Sequence, residues 1–579
     1  MTVQTFPSRE TLRRLPFTLA DVAILLGVLG LITLVTSVGS GMLVSFRPPE
    51  VVPSISLDPA NLPYYLLRST LRMFIAMLFS LVFTFVVGSL AARSPYAERV
   101  IIPALDVLQS VPVLGFLSAT VSLFIALFPG SLLGLEAASI FAIFTGQVWN
   151  MTFAFYHALR SIPRDLDEAA RLYRFSPWQR FWKVSVPFSM INLVWNTMMS
   201  FGGGWFFVSA SEAITVLSND YTLPGIGAYV AEAVRQQNLQ AILYAVLAMA
   251  AMIILLDQLL WRPLVAWADK FKFEATAAAE QPRSWFYDFL RTSKLMRRVG
   301  MALGSMSDRL QRVPRPAGVL QIRSHEPLSP SSQRAIEHIF NAGLTLAAVV
   351  AGISVGGFVV SEVPIAEIAQ AFSLGAITLL RVFLLVIVTS AVFVPIGVAI
   401  GFSPRIVRFA QPVVQFMASF PSTFLFPLAT LVFLALNISP EVGATVLMSL
   451  GAQWYVLFNV IAGAQAVPTE LREMGKVMRL NRRQTWLRLI LPGIFPAWVT
   501  GALTAYGGAF NASIVAEVIE WGDITLTATG IGEYITRATT AGDWPRIVLG
   551  VSVMTLYVVV INRLLWRRLY ALAERRFSF

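Results

Sequence analysis

Long apolar stretches recur from one end of this chain to the other, and they constrain its fold more than any other feature. A bilayer core takes roughly 20 apolar residues per helical span. Stretches of that kind lie at 21–46, 68–92, 106–128, 133–158, 188–212 and 240–261, then at 338–361, 375–400, 410–436, 441–466, 494–519 and 546–565. Of the 579 residues, 56% are hydrophobic and only 13% charged. Soluble domains carry roughly 25% charge, so too few polar groups remain to coat them. The expectation is an all-α polytopic membrane protein with about 12 transmembrane helices, because a helix satisfies its own backbone in lipid. Prolines in 106–128 and 410–436 predict kinked or partly re-entrant segments.

Several function classes fall away. There is no cysteine, which excludes a disulfide scaffold, thiolate metal sites and iron–sulfur clusters. His157, His325 and His338 are the only histidines, a poor basis for a metal centre. The net charge of +12 is read against topology before nucleic acid, because cytoplasmic loops of membrane proteins collect Lys and Arg. Arg9, Arg13 and Arg14 precede the first apolar stretch and predict a cytoplasmic N-terminus. That stretch is too long, and followed by too many others, for a cleavable signal peptide.

The chain divides into a first repeat (1–262), a basic linker (263–337) and a second repeat (338–579). The linker holds Lys270, Lys272, Arg283, Arg291, Lys294, Arg297, Arg298, Arg309, Arg312, Arg315, Arg323 and Arg334. An even number of spans on each side puts linker and both termini in the cytoplasm. Residues 284–312 read equally as a basic amphipathic helix on the membrane surface or as a solvated linker. Pro314, Pro316, Pro327 and Pro330 mark its less ordered end.

The two halves repeat. At an offset of 305, Gly146, Trp149, Phe153, Leu166, Arg174 and Gln179 meet Gly451, Trp454, Phe458, Leu471, Arg479 and Gln484. Gly202-Gly203 meet Gly507-Gly508, Glu212 meets Glu517, and Gly225-Ile226-Gly227 meet Gly530-Ile531-Gly532. Upstream the offset is 309: Arg72 meets Arg381, Gly88 meets Gly397, Ser94-Pro95 meet Ser403-Pro404, and Ser110 with Pro112 meets Ser419 with Pro421. Four residues are therefore lost between Pro421 and Gly451, in the turn between the third and fourth spans. Even span counts make this a parallel repeat about an axis normal to the membrane, with a path at the interface.

The loop after the fourth span of each half carries the most information. The first copy has Asp167-Glu168-Ala169-Ala170-Arg171 and, further on, Trp178 through Pro187; the second has Glu473-Met474-Gly475, then Trp486, Leu491 and Pro492. This resembles the EAA loop of permease subunits of type I ABC importers, in the nitrate, sulfonate, taurine and bicarbonate branch. The resemblance covers most of both halves and implies a fused, duplicated permease: two parallel six-helix repeats of the type I ABC importer fold. It implies that Asp167, Glu168, Ala169, Ala170, Arg174, Glu473, Met474, Gly475 and Arg479 form ATPase-coupling loops. It further implies two ATP-binding subunits (or a homodimer) on the cytoplasmic side, holding the ATP and Mg, and an extracytoplasmic substrate-binding protein. The cargo class would be a small anion, the location a bacterial-type inner membrane. The family's glycine six residues after the Glu is Arg174 in one half and Arg479 in the other. A glycine there permits the turn between two short helices, so its loss leaves the bend open and suggests a matched partner surface.

Read as residues alone, the loop is a short amphipathic helix able to enter a groove on another protein, or an ordinary basic cytoplasmic loop. No G-x-x-x-x-G-K-[ST], zinc motif or G-x-S-x-G is present, so the chain is not expected to be an enzyme and carries no cofactor.

Polar groups at membrane depth mark pathways or pairs. Arg72 and Arg381 start the second span of each half and either attract an anion or snorkel to the interface. Asn196, Thr197, Trp205 and Asn511 are candidate path residues, with ordinary helix packing as the alternative. Glu212 and Glu517, thirteen residues before Gly225-Ile226-Gly227 and Gly530-Ile531-Gly532, read as structural acceptors for backbone N–H groups or an arginine. The glycines at 202–204 and 507–508 permit close packing or bending. An ion-gradient-driven secondary transporter is the rival reading, since parallel repeats occur there too.

Overall fold

The computed structural model describes residues 19–44, 54–109, 111–216, 219–271, 284–299, 301–302 and 330–576. Arg9, Arg13, Arg14 and the linker positions 272–283, 300 and 303–329 lie outside them. In the first half the order is α1 (Leu19–Ser40), α2 (Leu62–Phe83), α3 (Pro95–Leu108), α4 (Leu117–Leu127), α5 (Leu133–Arg160), α6 (Arg164–Leu172), α7 (Val186–Glu212), a hairpin β1–β2 (Ala213–Val216, Asn219–Thr222), α8 (Ile226–Arg235) and α9 (Leu239–Leu256). The linker contributes α10 (Trp285–Thr292). The second half repeats the plan: α11 (Pro330–Glu362), α12 (Ile365–Gly401), α13 (Pro404–Ser419), α14 (Phe426–Ala435), α15 (Pro440–Ala466), α16 (Thr469–Val477), α17 (Leu491–Ala516), β3–β4 (Val518–Trp521, Ile524–Thr527), α18 (Ile531–Ala541), α19 (Trp544–Ile561) and α20 (Arg567–Arg576).

Local chemistry sets these boundaries. Asn238 and Asp543 cap the N-termini of α9 and α19, accepting from the N–H groups of Ala241 and Arg546 at 3.0 and 3.2 Å. Proline opens α3, α13 and α15. The repeat extends to irregularities: π-turns interrupt both copies at Phe181–Ser185 and Trp486–Ile490, and again at Asp257–Trp261 and Asn562–Trp566. Each pair is 305 residues apart. The change of offset to 309 falls between α4 and α5, where the second-half connection is shorter.

Seven helices among the described residues are long and apolar enough to cross a membrane, or eight if the bent pair α13–α14 is one span. The expectation of about 12 is therefore met only in part by that criterion. The stretches at 106–128 and 410–436 are not single helices. Each breaks at a proline and a 3₁₀ turn, Val113–Phe116 after Pro112 and Ser422–Leu425 after Pro421, and the second pair is bent by 85°. The stretches at 133–158 and 188–212 are long helices, α5 and α7, but not apolar enough for the criterion. They pack against each other and bury Glu136, Gln147, Ser200 and Glu212, and protein rather than lipid meets those polar groups. The stretch at 494–519 stops as a helix at Ala516, and Val518 and Ile519 belong to β3.

Two ends of the bundle are distinguishable. One carries α6 and α16, the other the two hairpins. Between them the halves exchange their broken segments. The turn Val113–Phe116 packs against α17 and α19 of the second half, while α13 and Ser422–Leu425 pack against α7 and α9 of the first. One apolar cluster joins Val113, Leu114 and Leu117 to Phe510, Ile514 and Val553. A second joins Phe201, Trp205 and Trp261 to Phe424 and Trp521.

Candidate functional site

At one end, α6 and α16 are short helices on reversing turns. Neither ends in glycine. Arg174 and Arg479 take the left-handed conformation with φ 52° and 49°, so the bend survives the loss of the glycine. The hydrogen bonds around each are those of a Schellman turn. Phe175 N donates to Ala170 O at 3.0 Å and Leu480 N donates to Gly475 O at 3.1 Å. A capping box then restarts the chain in both copies, Ser176 with Gln179 and Asn481 with Gln484.

The turn presents apolar side chains to solvent. Leu172 and Tyr173 are 84% and 76% exposed, and their counterparts Val477 and Met478 are 81% and 65% exposed. Glu168, Glu473 and Met474 are exposed beside them, while Ala169 is half-buried and Ala170 and Gly475 face inward. Asp167 pairs with Arg171 at 3.0 Å and with Arg180. Arg180 immediately precedes the π-turn that leads into α7, so this pair ties α6 to the segment that enters α7. The second copy lacks this pair, because Arg472 replaces Asp167; its guanidinium lies 4.9 Å from the Phe402 ring instead.

Near the other end the intramembrane charges form two knots. In the first half, Arg72 donates to Glu136 (2.5 and 2.7 Å), to Glu212 (2.6 Å) and to the Pro224 carbonyl (3.0 Å). Arg68 pairs with Glu136 as well. Glu212 also accepts from Ser69 at 2.5 Å and from the Gly227 N–H at 2.7 Å. All four charged groups are 0–1% exposed. A Cβ at Gly225 would sit 2.3 Å from the Glu212 carboxyl, which explains that glycine.

The second knot repeats the first with one charge fewer. Arg381 pairs with Glu441 and Glu517 and donates to the Thr529 carbonyl at 3.1 Å. Thr378 and the Gly532 N–H donate to Glu517 at 2.8 and 2.7 Å, and Gly530 abuts its carboxyl. Ile377 stands where the first half has Arg68, and Glu441 remains 49% exposed. Arg72 is thus enclosed by groups of its own chain and not open to a passing anion. Among the described residues, Arg68, Glu136 and Glu441 are partners the sequence reading missed. The 305 offset pairs the two glutamates, and that pairing was the available signal.

The remaining candidates are dispersed. Asn196 and Thr197 bond their own helix, donating to the Asn192 and Leu193 carbonyls at 2.8 and 2.7 Å. Trp205 is buried against Phe201. Asn511 crosses between the halves: its Oδ1 accepts from Val113 N at 3.0 Å. Ser209 and Thr423 cross in the other direction, Oγ to Oγ1 at 2.8 Å.

The Ser209–Thr423 crossing lines a cavity of about 350 Å³ between the halves. Its walls come in matched positions: Leu114 and Thr423, Leu117 and Phe426, Ala231 and Thr536, Val234 and Thr539. At three of these positions the first half gives an alkyl group where the second gives a hydroxyl, and at Ser209 and its counterpart Ile514 the order is reversed. The N-termini of α4 and α14 open at this wall, and Glu520 lines it from β3.

A bundle with paired reversing loops at one end, exchanged broken spans and a cavity between parallel repeats defines a membrane permease. The profile of the binding-protein-dependent transport system inner membrane component matches residues 84–260 and 391–579. That is more than half of the chain, matched twice, and the chain belongs to that family in duplicated form. It is 25% identical over 171 residues to the nitrate import permease protein of Leptolyngbya laminosa, covering 30% of this chain and 58% of that protein. It is 23% identical over 216 residues to the bicarbonate transport system permease protein of Synechococcus elongatus, covering 37% and 68%. It is 26% identical over 184 residues to the putative aliphatic sulfonates transport permease protein of Bacillus subtilis, covering 30% and 63%. The chain spans about three fifths of the length of the first of these relatives.

Proposed function

We propose that this chain is the complete membrane-spanning path of an ABC importer for a small anion, one polypeptide supplying both permease halves. The observation that carries it is the pair of loops around Glu168 and Glu473, each an exposed amphipathic helix with an apolar tip, on the same end of the bundle. Two ATP-binding subunits, holding the ATP and Mg, dock on these tips in the cytoplasm; both termini and the linker share that side. A substrate-binding protein delivers cargo at the hairpin end. ATP-driven closure of the subunits pushes α6 and α16 together. The Asp167–Arg180 pair carries that motion into α7, whose far end bears Ser209 at the cavity.

The substrate class is nitrate, bicarbonate or a small sulfonate, as the names of the relatives suggest. Hydroxyl protons and the positive ends of the α4 and α14 dipoles are suited to an oxyanion. The chain itself performs no hydrolysis.

Co-purification with the ATP-binding subunit tests the reading. The wild type should hold the subunit through gentle solubilisation, and Glu168→Lys/Glu473→Lys should release it. Nitrate, bicarbonate and sulfonates with their binding protein should then be ranked by stimulated ATPase. If no ATP-binding partner associates with the wild type, the ion-gradient-driven secondary transporter takes precedence.

A further inference from the structure

In the linker, Ser284 Oγ accepts from Tyr287 N at 3.2 Å and so starts α10. At Ser293 the chain begins a second short helix, over 294–299, with Ser293 Oγ accepting from Met296 N at 3.1 Å. This segment is tied at two points to membrane spans of the first half. Trp285 Nε1 donates to Gln258 Oε1 at 3.3 Å, in the π-turn that follows α9. Asp21, in the first turn of α1 and 1% exposed, accepts from Ser293 Oγ at 2.6 Å and from Leu295 N at 2.7 Å.

Both ties stand where the spans present apolar side chains to lipid. Val22 and Leu25 neighbour Asp21 on α1, Ile254 and Leu255 precede Gln258, and all four are exposed. Trp285 itself is 61% exposed. A tryptophan with its N–H bonded and its ring open suits the boundary between headgroups and acyl chains. The charge suits that depth as well. Arg291 and Arg297 are exposed and Lys294 is half-buried. Among the described residues none of these three has a carboxylate partner, and Arg291 lies over the Tyr287 ring at 5.8 Å. Asp288 is the one carboxylate in 284–299. A basic segment pinned against the ends of two spans has a sheet of lipid phosphates beside it.

We propose that 284–299 rests on an anionic phospholipid surface, with Trp285 at the headgroup boundary and Arg291, Lys294 and Arg297 on the lipid phosphates. Asp21 holds the segment down against the first span. Of the two arrangements the sequence allows for this segment, this is the surface helix. It depends only on the chain spanning a membrane, not on what drives transport.

The chain has no cysteine, so Thr292→Cys can carry a single nitroxide. Position 292 is exposed and shares a helix face with Trp285, two turns away. The full chain is placed in nanodiscs of phosphatidylcholine with phosphatidylglycerol. There the nitroxide should collide severalfold more often with oxygen, which concentrates in lipid, than with a neutral water-soluble nickel chelate. In phosphatidylcholine alone, collisions with nickel should rise severalfold. Arg291→Gln/Lys294→Gln/Arg297→Gln should show the raised nickel collisions in both lipids while keeping its thermal transition. High salt should raise them in the phosphatidylglycerol discs without any charge substitution, because screening weakens attraction between exposed charges, and this arm serves if the triple variant does not fold. Nickel collisions that outnumber those with oxygen in both lipids overturn the proposal, since a solvated linker behaves so. An oxygen preference indifferent to phosphatidylglycerol, salt and the triple variant overturns it too, because protein contacts alone would then place the segment.

Discussion

Arg174 and Arg479, 305 residues apart, hold the same left-handed backbone, at φ 52° and 49°. A non-glycine residue there costs about 1–2 kcal/mol, and both copies keep an arginine with an exposed guanidinium beside an exposed apolar tip. Retention at a strained position in both halves fits a shared task outside the chain. Arg174→Gly/Arg479→Gly should therefore leave the thermal transition unchanged or raise it, while lowering the ATPase of the assembled complex severalfold. Undiminished ATPase would remove the arginines from the docking surface.

The charge knots make a prediction that separates the halves. Removing one partner from a buried ion pair costs about 3–5 kcal/mol, because the other charge is left buried. Glu136→Gln leaves Arg68, 1% exposed, without its carboxylate, whereas Glu441→Gln removes a carboxylate that is 49% exposed and leaves Arg381 its pair with Glu517. The first variant should lower the thermal transition more than the second. Equal losses would mean that Arg68 does not distinguish the knots.

Much of this was legible in the sequence, and the gaps have physical causes. The repeat offsets aligned caps, π-turns and hairpins, because small and polar residues recur where backbone geometry is unusual. Prolines 112 and 421 marked the broken spans. Apolarity alone did not end the helix at Ala516, since Val518 and Ile519 are as apolar in a strand as in a helix. Arg72 and Glu212 stood out singly, but not as members of one knot. Burial in a four-group cluster depends on packing among α2, α5, α7 and α8, which lie far apart in sequence.

The absence of cysteine makes the crossing at Ser209 and Thr423 directly testable. Their hydroxyls meet at 2.8 Å beside the cavity. In Ser209→Cys/Thr423→Cys, mild oxidation should form a disulfide that stops uptake in proteoliposomes, and reductant should restore it. Each single cysteine should be insensitive to oxidant. Cross-linking without loss of transport would place the moving seam elsewhere.

The cavity wall carries the last prediction. Thr423, Thr536 and Thr539 face the cavity where the first half presents Leu114, Ala231 and Val234. A hydroxyl can donate to an oxyanion or accept from the backbone, and it rotates to do either. Thr536 already donates to the Ile514 carbonyl at 2.8 Å, so its proton is occupied. Thr539→Val keeps the volume and removes a hydroxyl, and it should raise the KM for uptake with little change in kcat. Thr536→Val, whose hydroxyl serves the backbone, should affect the thermal transition more than the KM. Glu520 lines the same cavity with a negative charge, which repels an anion at close range. Glu520→Gln should therefore lower the KM for an anionic substrate, most visibly at low ionic strength where screening is weakest. A raised KM in Glu520→Gln would instead indicate that the carboxylate binds a positively charged group on the cargo, and the substrate class would shift from a simple anion to a zwitterion.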